Sequence, residues 1–502
     1  MALLFITGLI APNIVLANRS ATFVFRGQDI KKLPAQSRPA RIALRQPAPV
    51  LTENAIIYTT QHFRILWGEN YDKSDPDWND PDNDFIPTWI EELADALENA
   101  YAIQVNLGFS TPYGVSEYYL DVYVANTGVR VENVDITLSS DYYAFTDIDV
   151  DYQVAYFVFN NDFSPHTDRE ISVLRATAAH ELFHAIQRVD FPWDDENLVP
   201  DEIFSKEVWW LESTATWIEE ICEPESNDYI QYIKMLLENP STSLTDSNGK
   251  HEYGAALFAG FLWLKKGGPG LWQDVFISLF EKGGTTAVDE ALLSNGFGSF
   301  KEAVAEFWSL AAHPEDTWPD GLLYYTDSGA TVFQDIAILP FFSQIPMPEV
   351  FGARLLHFPG SITELEVKLL NMDQSSRVLV SASLKGEDFA VSFPVNDEPF
   401  SIHGSPGKDL YLAVVNISDP DSGYSNNFEI QIINKTLNST LPGDIDGNEV
   451  INFKDFDLGF QILNGKIPGA QVMSTSDADK NGTIDIIENI YILQYILKAE
   501  NK

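Results

Sequence analysis

The string His180-Glu181-Leu182-Phe183-His184 holds two imidazoles at positions i and i+4 with a carboxylate between them. On an α-helix these two positions share one face, so both rings can reach a single Zn²⁺. Glu181 would then lie beside the metal, where a carboxylate can act as a general base toward water. The alternative is a pair of capped or core histidines. The small apolar residues of 176–179 offer few of the polar partners that buried imidazoles need, so the spacing favours a hydrolytic metal site.

A catalytic zinc site needs a third protein ligand and leaves its fourth position to water. Glu212 is the candidate, because the helical segment Trp209–Trp217 is otherwise aromatic or small. A buried, unpaired carboxylate is costly, and a divalent cation compensates that cost. Glu207, Glu219 and Glu220 lie nearer the ends of the same segment, where solvated carboxylates are common, and rank below Glu212.

Two helices must position these side chains. The first is predicted to begin with a capping box formed by Thr167 and Glu170, and Pro192 prevents its continuation. Its apolar stripe, on the side away from the histidines, consists of Ile171, Leu174, Ala178, Leu182 and Ala185. The second helix is predicted to begin after an N-cap at Ser205.

The rest of the chain reads as a multidomain α+β protein. Before the first motif, the pattern predicts a helix and several strands: Ile56–Trp67, the helix Pro87–Leu107, Tyr118–Val124 and Val154–Phe159. Helices follow until about His313. Short alternating runs then predict a β-sandwich, with strands at Glu364–Leu370, Arg377–Leu384, Leu410–Val415 and Phe428–Ile433.

The two helical motifs resemble those of gluzincin metallopeptidases, in which HExxH on one helix is joined by a Glu from a later helix. The closest similarity is to secreted bacterial metalloproteases of the Myxococcus-type, peptidase-MA-like group, with TAAHExFHxxQ at Thr177–Gln187 and WWxExxAxW at Trp209–Trp217. The resemblance implies a zincin fold with a mixed sheet, active-site helices and a helical lobe. It also implies that the strand Val154–Phe159 lies along the substrate cleft.

A zinc site made by His180, His184 and Glu212, with Glu181 as the base, would hydrolyse peptide bonds of a protein or peptide substrate. Gluzincins commonly add a Tyr or His that stabilises the oxyanion, and the resemblance assigns this role to Tyr253, with His251 second. Simple packing is the alternative for both. Gln187 falls on the metal face and is a candidate to support a ligand.

Near the C-terminus, two loops carry oxygen ligands at the spacing of EF-hand-type calcium sites. The candidate calcium ligands are Asp444, Asp446, Asn448, Val450, Asn452 and Asp455 in the first loop, and Asp477, Asp479, Asn481, Thr483, Asp485 and Glu488 in the second. Apolar helical stretches follow at Phe456–Leu463 and Ile490–Leu497. The pair resembles a dockerin type I module, which implies Ca²⁺ binding and a cohesin-like partner.

Two departures from the dockerin pattern leave the cohesin partner open. Glu449 occupies the sixth place of the first loop, where Gly allows a sharp turn. The tenth and eleventh places, which carry partner recognition in dockerins, are Phe453-Lys454 and Ile486-Ile487 instead of hydroxyl pairs. A purely stabilising calcium module is the alternative.

Charge and composition exclude several classes of protein. Lys and Arg number 31 against 74 Asp and Glu, so the net charge is −43, which disfavours binding to nucleic acids and anionic lipids. The lone cysteine, Cys222, excludes an intrachain disulfide and a Cys-rich zinc site. An Asp-rich loop at 72–84 is interpreted as solvated, with calcium binding as the alternative.

Residues 2–17 are mostly apolar and end in Val-Leu-Ala, which predicts a signal peptide and export; a buried N-terminal strand is the alternative. No later segment is apolar enough to predict a membrane span. The predicted organisation is a signal peptide 1–17, a linker or pro-segment 18–50, a zincin-like protease domain 51–325, a β-sandwich 326–434, a linker 435–443 and a dockerin-like calcium module 444–502. The functional alternative to a secreted peptidase is a non-catalytic adhesion or binding protein.

Overall fold

The structure is a computed structural model of the 502-residue chain. It describes residues 46–47, 52–149, 152–164, 169–189, 200–325, 332–336, 339–360, 364–370, 376–394, 399–405, 407–419, 423, 427–434, 441–446, 450–466, 476–478 and 483–500. The predicted signal peptide and nearly all of the predicted pro-segment lie outside the described residues. So do the predicted calcium ligands Asn448, Asp479 and Asn481.

The chain divides into two compact units, the first comprising Met1–Leu236 and Leu244–Phe300 and the second Leu237–Ser243 and Lys301–Lys502. Strands before residue 170 are β1 Thr52–Glu53, β2 Ile56–Thr59, β3 Phe63–Trp67, β4 Leu120–Val124, β5 Arg130–Val131, β6 Val134–Asp135, β7 Ala144–Asp149 and β8 Val154–Phe159. Helices up to residue 311 are α1 Thr88–Asn106, α2 Glu170–Gln187, α3 Pro200–Cys222, α4 Ile230–Glu238, α5 His251–Gly254, α6 Ala256–Lys265, α7 Pro269–Lys282, α8 Gly284–Ser294 and α9 Phe300–Ala311. Short 3-10 helices lie at Pro76–Trp78, Pro314–Asp316 and Gly321–Tyr324. The division before Lys301 places almost all of α9 in the second unit, whereas the predicted protease domain extends to residue 325.

The main sheet of the first unit has five strands in the order β2-β3-β4-β8-β7. β3, β4 and β8 are parallel, and β2 and β7 are antiparallel to their neighbours. The buried strand predicted at Val154–Phe159 is confirmed as β8. β8 lies inside the sheet, and β7 forms the edge beside helix α2. β7 alternates buried and half-buried residues, as a strand does when one face is packed.

Helices α2 and α3 both differ from prediction at their starts. α2 begins at Glu170 with Arg169 as its N-cap and no side-chain capping bond, and Thr167 lies outside the described residues. The Glu170 carboxylate instead accepts a hydrogen bond from the Phe163 N–H. α3 begins at Pro200, so Ser205 is inside the helix and not its N-cap. Proline is well tolerated in the first turn of a helix, which explains the earlier start.

Helix α6 packs closely on α3, the helix that carries Glu212. The contact point is Gly260, where an added Cβ would lie 2.6 Å from the ring of Trp217. Only glycine allows the two helices to approach over an indole ring in this way.

The second unit contains strands β9 Gln334–Asp335, β10 Phe341–Pro346, β11 Ala353–Phe358, β12 Glu364–Leu370, β13 Val378–Leu384, β14 Ala390–Pro394, β15 Phe400–His403, β16 Leu410–Asn416 and β17 Asn427–Asn434. They form a four-stranded sheet β10-β17-β12-β15 and a five-stranded sheet β14-β13-β16-β11-β9. Side chains of both sheets, among them Val367, Val380 and Ile430, share one buried core. This is the architecture of the predicted β-sandwich.

Two helices follow the sandwich, α10 Phe453–Leu463 and α11 Ile486–Glu500, and they pack on each other. Isoleucines and leucines from the helices and the segments before them form a small separate core, against which Phe342 of β10 also packs. The multidomain α+β class is therefore confirmed. Among the described residues, no helix combines the length and the apolar character needed to cross a bilayer.

Candidate metal centre

The side chains of His180, His184 and Glu212 converge at one point inside the first unit. The two Nε2 atoms of the histidines are 3.0 Å apart, and Oε2 of Glu212 lies 3.1 Å from His180 Nε2 and 3.4 Å from His184 Nε2. Each of the three residues is about 1% exposed. Helix geometry brings the histidines together, and the packing of α3 on α2 adds the carboxylate.

In both histidines, Nδ1 points away from the cluster and donates a hydrogen bond to another side chain. Gln187 Nε2 donates to the carbonyl of Leu211 at 2.9 Å, so the amide oxygen of Gln187 faces His184 Nδ1 at 2.8 Å and must accept its proton. His180 Nδ1 lies 2.8 Å from Oε1 of Glu219 and donates to that carboxylate. In the neutral tautomers that result, both Nε2 atoms present lone pairs to the carboxylate oxygen of Glu212.

Three acceptor atoms therefore surround one point, and no donor of these neutral groups lies between them. A proton on His180 Nε2 can be donated to Glu212 Oε2 or to His184 Nε2, but one N–H cannot serve both acceptors fully at once. A divalent cation satisfies all three contacts. Zinc with N and O ligands at about 2.0–2.2 Å in tetrahedral geometry places those ligand atoms about 3.3–3.6 Å apart, slightly more than the 3.0–3.4 Å separations in this structure. The residues present fit zinc.

The charges around this point favour a cation. Burial lowers the pKa of His180, but hydrogen bonds and charge interactions with Glu212 and Glu219 outweigh burial and raise it. Burial likewise raises the pKa of Glu212, and the nearby His184 and His180 overcome that effect and lower it. The pocket thus stabilises positive charge between the two carboxylates, and a metal ion would replace the proton there.

Glu181 follows His180 on the helix and points to strand β7. Its Oε2 lies 2.7 Å from the hydroxyl of Thr146, while no hydrogen-bonding partner is present for the buried Oε1 among the described residues. Burial raises the pKa of Glu181, although the two histidines and the Thr146 hydroxyl act in the opposite direction. A carboxylate with one oxygen held and one available is suited to accept a proton.

Tyr253 lies in α5, fully buried, with its ring centroid 6.2 Å from that of His180 and 5.2 Å from that of Tyr232. Its ring is therefore close to the candidate metal centre. His251, the second candidate, is buried in the same short helix. At the neighbouring Gly254, an added Cβ would lie 2.7 Å from the Tyr232 carbonyl oxygen on α4. The small size of Gly254 therefore allows α5 to pack on α4 and does not serve an approach to the metal.

Two residues at the centre were not given their roles by sequence reasoning. The sequence gives no signal for Thr146, because its contact with Glu181 depends on how β7 packs on α2. The sequence favours Glu219 only weakly as a zinc ligand, whereas the structure places its carboxylate 2.8 Å from His180 Nδ1. Of the other two alternatives, Glu207 accepts a hydrogen bond from the Gly284 N–H, and Glu220 is outside the three-residue cluster found among the described residues.

A second cluster of possible metal ligands lies in the first predicted calcium loop. Asp444, Asp446 and Asp455 lie close enough to hold one ion. Asp455 Oδ1 also accepts from the Ile445 and Asp446 N–H groups, and Oδ2 from the Asn452 N–H. Asn452 caps helix α10 through its side-chain oxygen. Three of the predicted ligands of the first loop therefore lie together.

The second loop repeats this pattern at its last position. Glu488 accepts from the Ala478 N–H through Oε1 and from the Asp485 N–H through Oε2. The loops are joined where the Ser476 hydroxyl donates to the Asp444 carbonyl at 2.5 Å. In the Asp-rich loop, Asp80, Asp82 and Asp84 are also close together, but they are mostly exposed, and Asp80 accepts from loop N–H groups.

Comparison with known proteins adds little. The sequence matches no protein-family profile and no curated protein. Among solved structures, a family GH115 4-O-methyl-α-glucuronidase with specificity for decorated arabinogalactans aligns at a TM-score of 0.13 and 8% identity, covering 56% of this chain and 46% of that one. This chain thus spans less than half the length of that enzyme, and a TM-score this low carries no argument. The gluzincin and dockerin resemblances rest on the motifs quoted above.

Proposed function

We propose that this protein is a secreted zinc-dependent peptidase of the gluzincin type. The observation that carries the proposal is the convergence of His180 Nε2, His184 Nε2 and Glu212 Oε2 at one buried point. Glu181 lies beside this cluster as its general base. Export is inferred from the apolar segment 2–17, and the zincin fold from the motifs on α2 and α3.

When bound, zinc polarises the substrate carbonyl and lowers the pKa of water. The chain supplies the proton transfers: Oε1 of Glu181 receives the proton of the attacking water and passes it to the leaving amine. Tyr253 is the proposed hydrogen-bond donor to the oxyanion. Gln187 and Glu219 hold the two imidazoles in the tautomers whose Nε2 lone pairs would bind the metal.

The test is a metal and activity measurement on the purified full chain. Elemental analysis should find one zinc per chain at this site, and hydrolysis of casein or a mixed peptide library should cease when zinc is chelated and return when it is restored. Because catalysis requires the ion, the loss should be complete within detection. Zinc binding without hydrolysis would support the alternative of a non-catalytic adhesion or binding protein.

We further propose that the C-terminal helices form a dockerin-like calcium module that tethers or stabilises the enzyme. Support comes from the repeated loop geometry at Asp455 and Glu488. A cohesin-like protein is one proposed partner. Several apolar residues of this module are exposed, including Phe453, Ile486 and Ile487 at the recognition positions.

Calcium should stabilise this module. At a calcium concentration about 100 times the Kd, ligand linkage predicts about 2.7 kcal/mol of added stability, lost with EGTA. Asp446→Ala should weaken the effect, because it removes a loop carboxylate but leaves the hydrogen bonds of Asp455 in place. Asp82→Ala in the exposed Asp-rich loop is the matched control. Thermal unfolding with calcium, EGTA and magnesium measures this, and an unchanged transition with calcium would contradict the assignment.

A further inference from the structure

Strand β7 and helix α2 meet at two adjacent residues of the strand. Thr146 places its hydroxyl 2.7 Å from Oε2 and 2.8 Å from the backbone carbonyl of Glu181. The next residue, Asp147, accepts a hydrogen bond at 2.9 Å from Nη1 of Arg188, the C-cap residue that follows α2. The edge strand is thus attached to the helix beside the metal ligands.

The position of Thr146 follows from the register of the sheet. β7 pairs antiparallel with β8, with Thr146 opposite Phe157. Ala144, Thr146 and Ile148 form the buried face of β7, and Thr146 is 4% exposed. A shift of one residue would turn the hydroxyl away from α2, so the sheet fixes where this donor lies.

A single hydroxyl proton can serve only one of its two acceptors at a time. When Glu181 is ionised, the carboxylate is the stronger acceptor, because charge-assisted hydrogen bonds exceed neutral ones. The bond then holds Oε2 against the strand and leaves Oε1, which has no partner among the described residues, as the oxygen that can take a proton.

We infer that Thr146 is a positioning residue that orients the Glu181 carboxylate so that Oε1 receives the proton of the attacking water. This inference rests on the proposed peptidase function. Without the hydroxyl, the carboxylate can rotate about its side-chain bonds. A misplacement of about 1 Å can cost about 100-fold in rate.

The test compares Thr146→Val, which keeps the shape and removes the hydroxyl, with Thr146→Ser, which keeps the hydroxyl. For Thr146→Val we expect kcat to fall about 100-fold, with KM and zinc affinity unchanged within about twofold. Thr146→Ser should recover activity to within about fivefold of wild type. Thr127→Val is the control for loss of a buried hydroxyl elsewhere in the same unit, since Thr127, in the bend after β4, donates to the Val124 carbonyl and accepts from the Gly68 N–H.

A crystal structure of zinc-bound Thr146→Val provides a readout besides activity, and the Glu181 carboxylate should leave its wild-type position. The inference would be overturned if the Thr146→Val variant had the same kcat as wild type, or if its Glu181 carboxylate kept the wild-type position. The peptidase proposal would stand in either case. Equal losses in Thr127→Val and Thr146→Val would also overturn it, because the effect would then reflect stability alone. A wild-type protein with no hydrolytic activity would defeat the proposed function, and this inference with it.

Discussion

Glu181→Gln should abolish peptide hydrolysis while leaving zinc bound at one ion per chain. The amide has nearly the shape of the carboxylate but cannot accept a proton from water, and removal of a general base costs about 10²–10⁴ in rate. Because Glu181 is not one of the three ligand residues, the separations among His180, His184 and Glu212 should persist. Zinc content by elemental analysis and kcat on a peptide substrate measure the two effects separately.

A matched control lies at the start of the same helix. Glu170→Gln replaces another buried carboxylate of α2, one that accepts from the Phe163 N–H, as an amide oxygen can also do. This variant should keep both zinc and activity. Equal hydrolysis by wild type and Glu181→Gln would reject the proposed mechanism, even if zinc binding were intact.

Glu212→Gln should remove zinc and, with it, all activity. The neutral amide loses the charge that pairs with the cation, and one of three protein ligands is weakened. We expect zinc affinity to fall by more than about 100-fold, the upper range for residues that only support a ligand. Competition with a chelator of known zinc affinity measures this.

Substitutions of two further α3 carboxylates, Glu219 and Glu207, should have smaller effects on zinc affinity than Glu212→Gln. Glu219→Gln removes the charge behind His180 Nδ1 but leaves the three ligands, so a loss of about 10- to 100-fold in affinity is expected. Glu207→Gln is remote, since Glu207 bonds the Gly284 N–H, and should leave affinity unchanged. A Glu212→Gln protein that binds zinc like wild type would show that Glu212 is not a ligand.

The sequence predicts the parts of the centre that depend on local geometry. The i, i+4 spacing is sufficient to bring His180 and His184 together, since helix periodicity alone sets it. Glu212 could be identified because a single acid in an apolar helix needs a compensating charge. The α1 helix, the β8 strand and four sandwich strands were likewise predicted within a few residues, because their apolar periodicities are strong.

Contacts between distant segments could not be predicted. The Thr146 hydroxyl reaches a residue 35 positions away, and that contact depends on strand register and on how the sheet lies under α2. Glu219 looked solvated because it is near the end of its helix. It is fully buried, since the end of α3 is covered by α1, where Gln104 contacts Cys222. The edge position of β7 is also a property of the whole sheet.

Helix α2 is buried along almost its entire length, and the histidine rings are fixed from behind by Gln187 and Glu219. The protein therefore meets the conformational entropy cost of arranging the ligands when it folds, before any ion arrives. At the proposed zinc site, metal binding would then require little reorganisation, and the ion would take the place of a proton. Such a site would keep its shape when metal is scarce and could be reloaded.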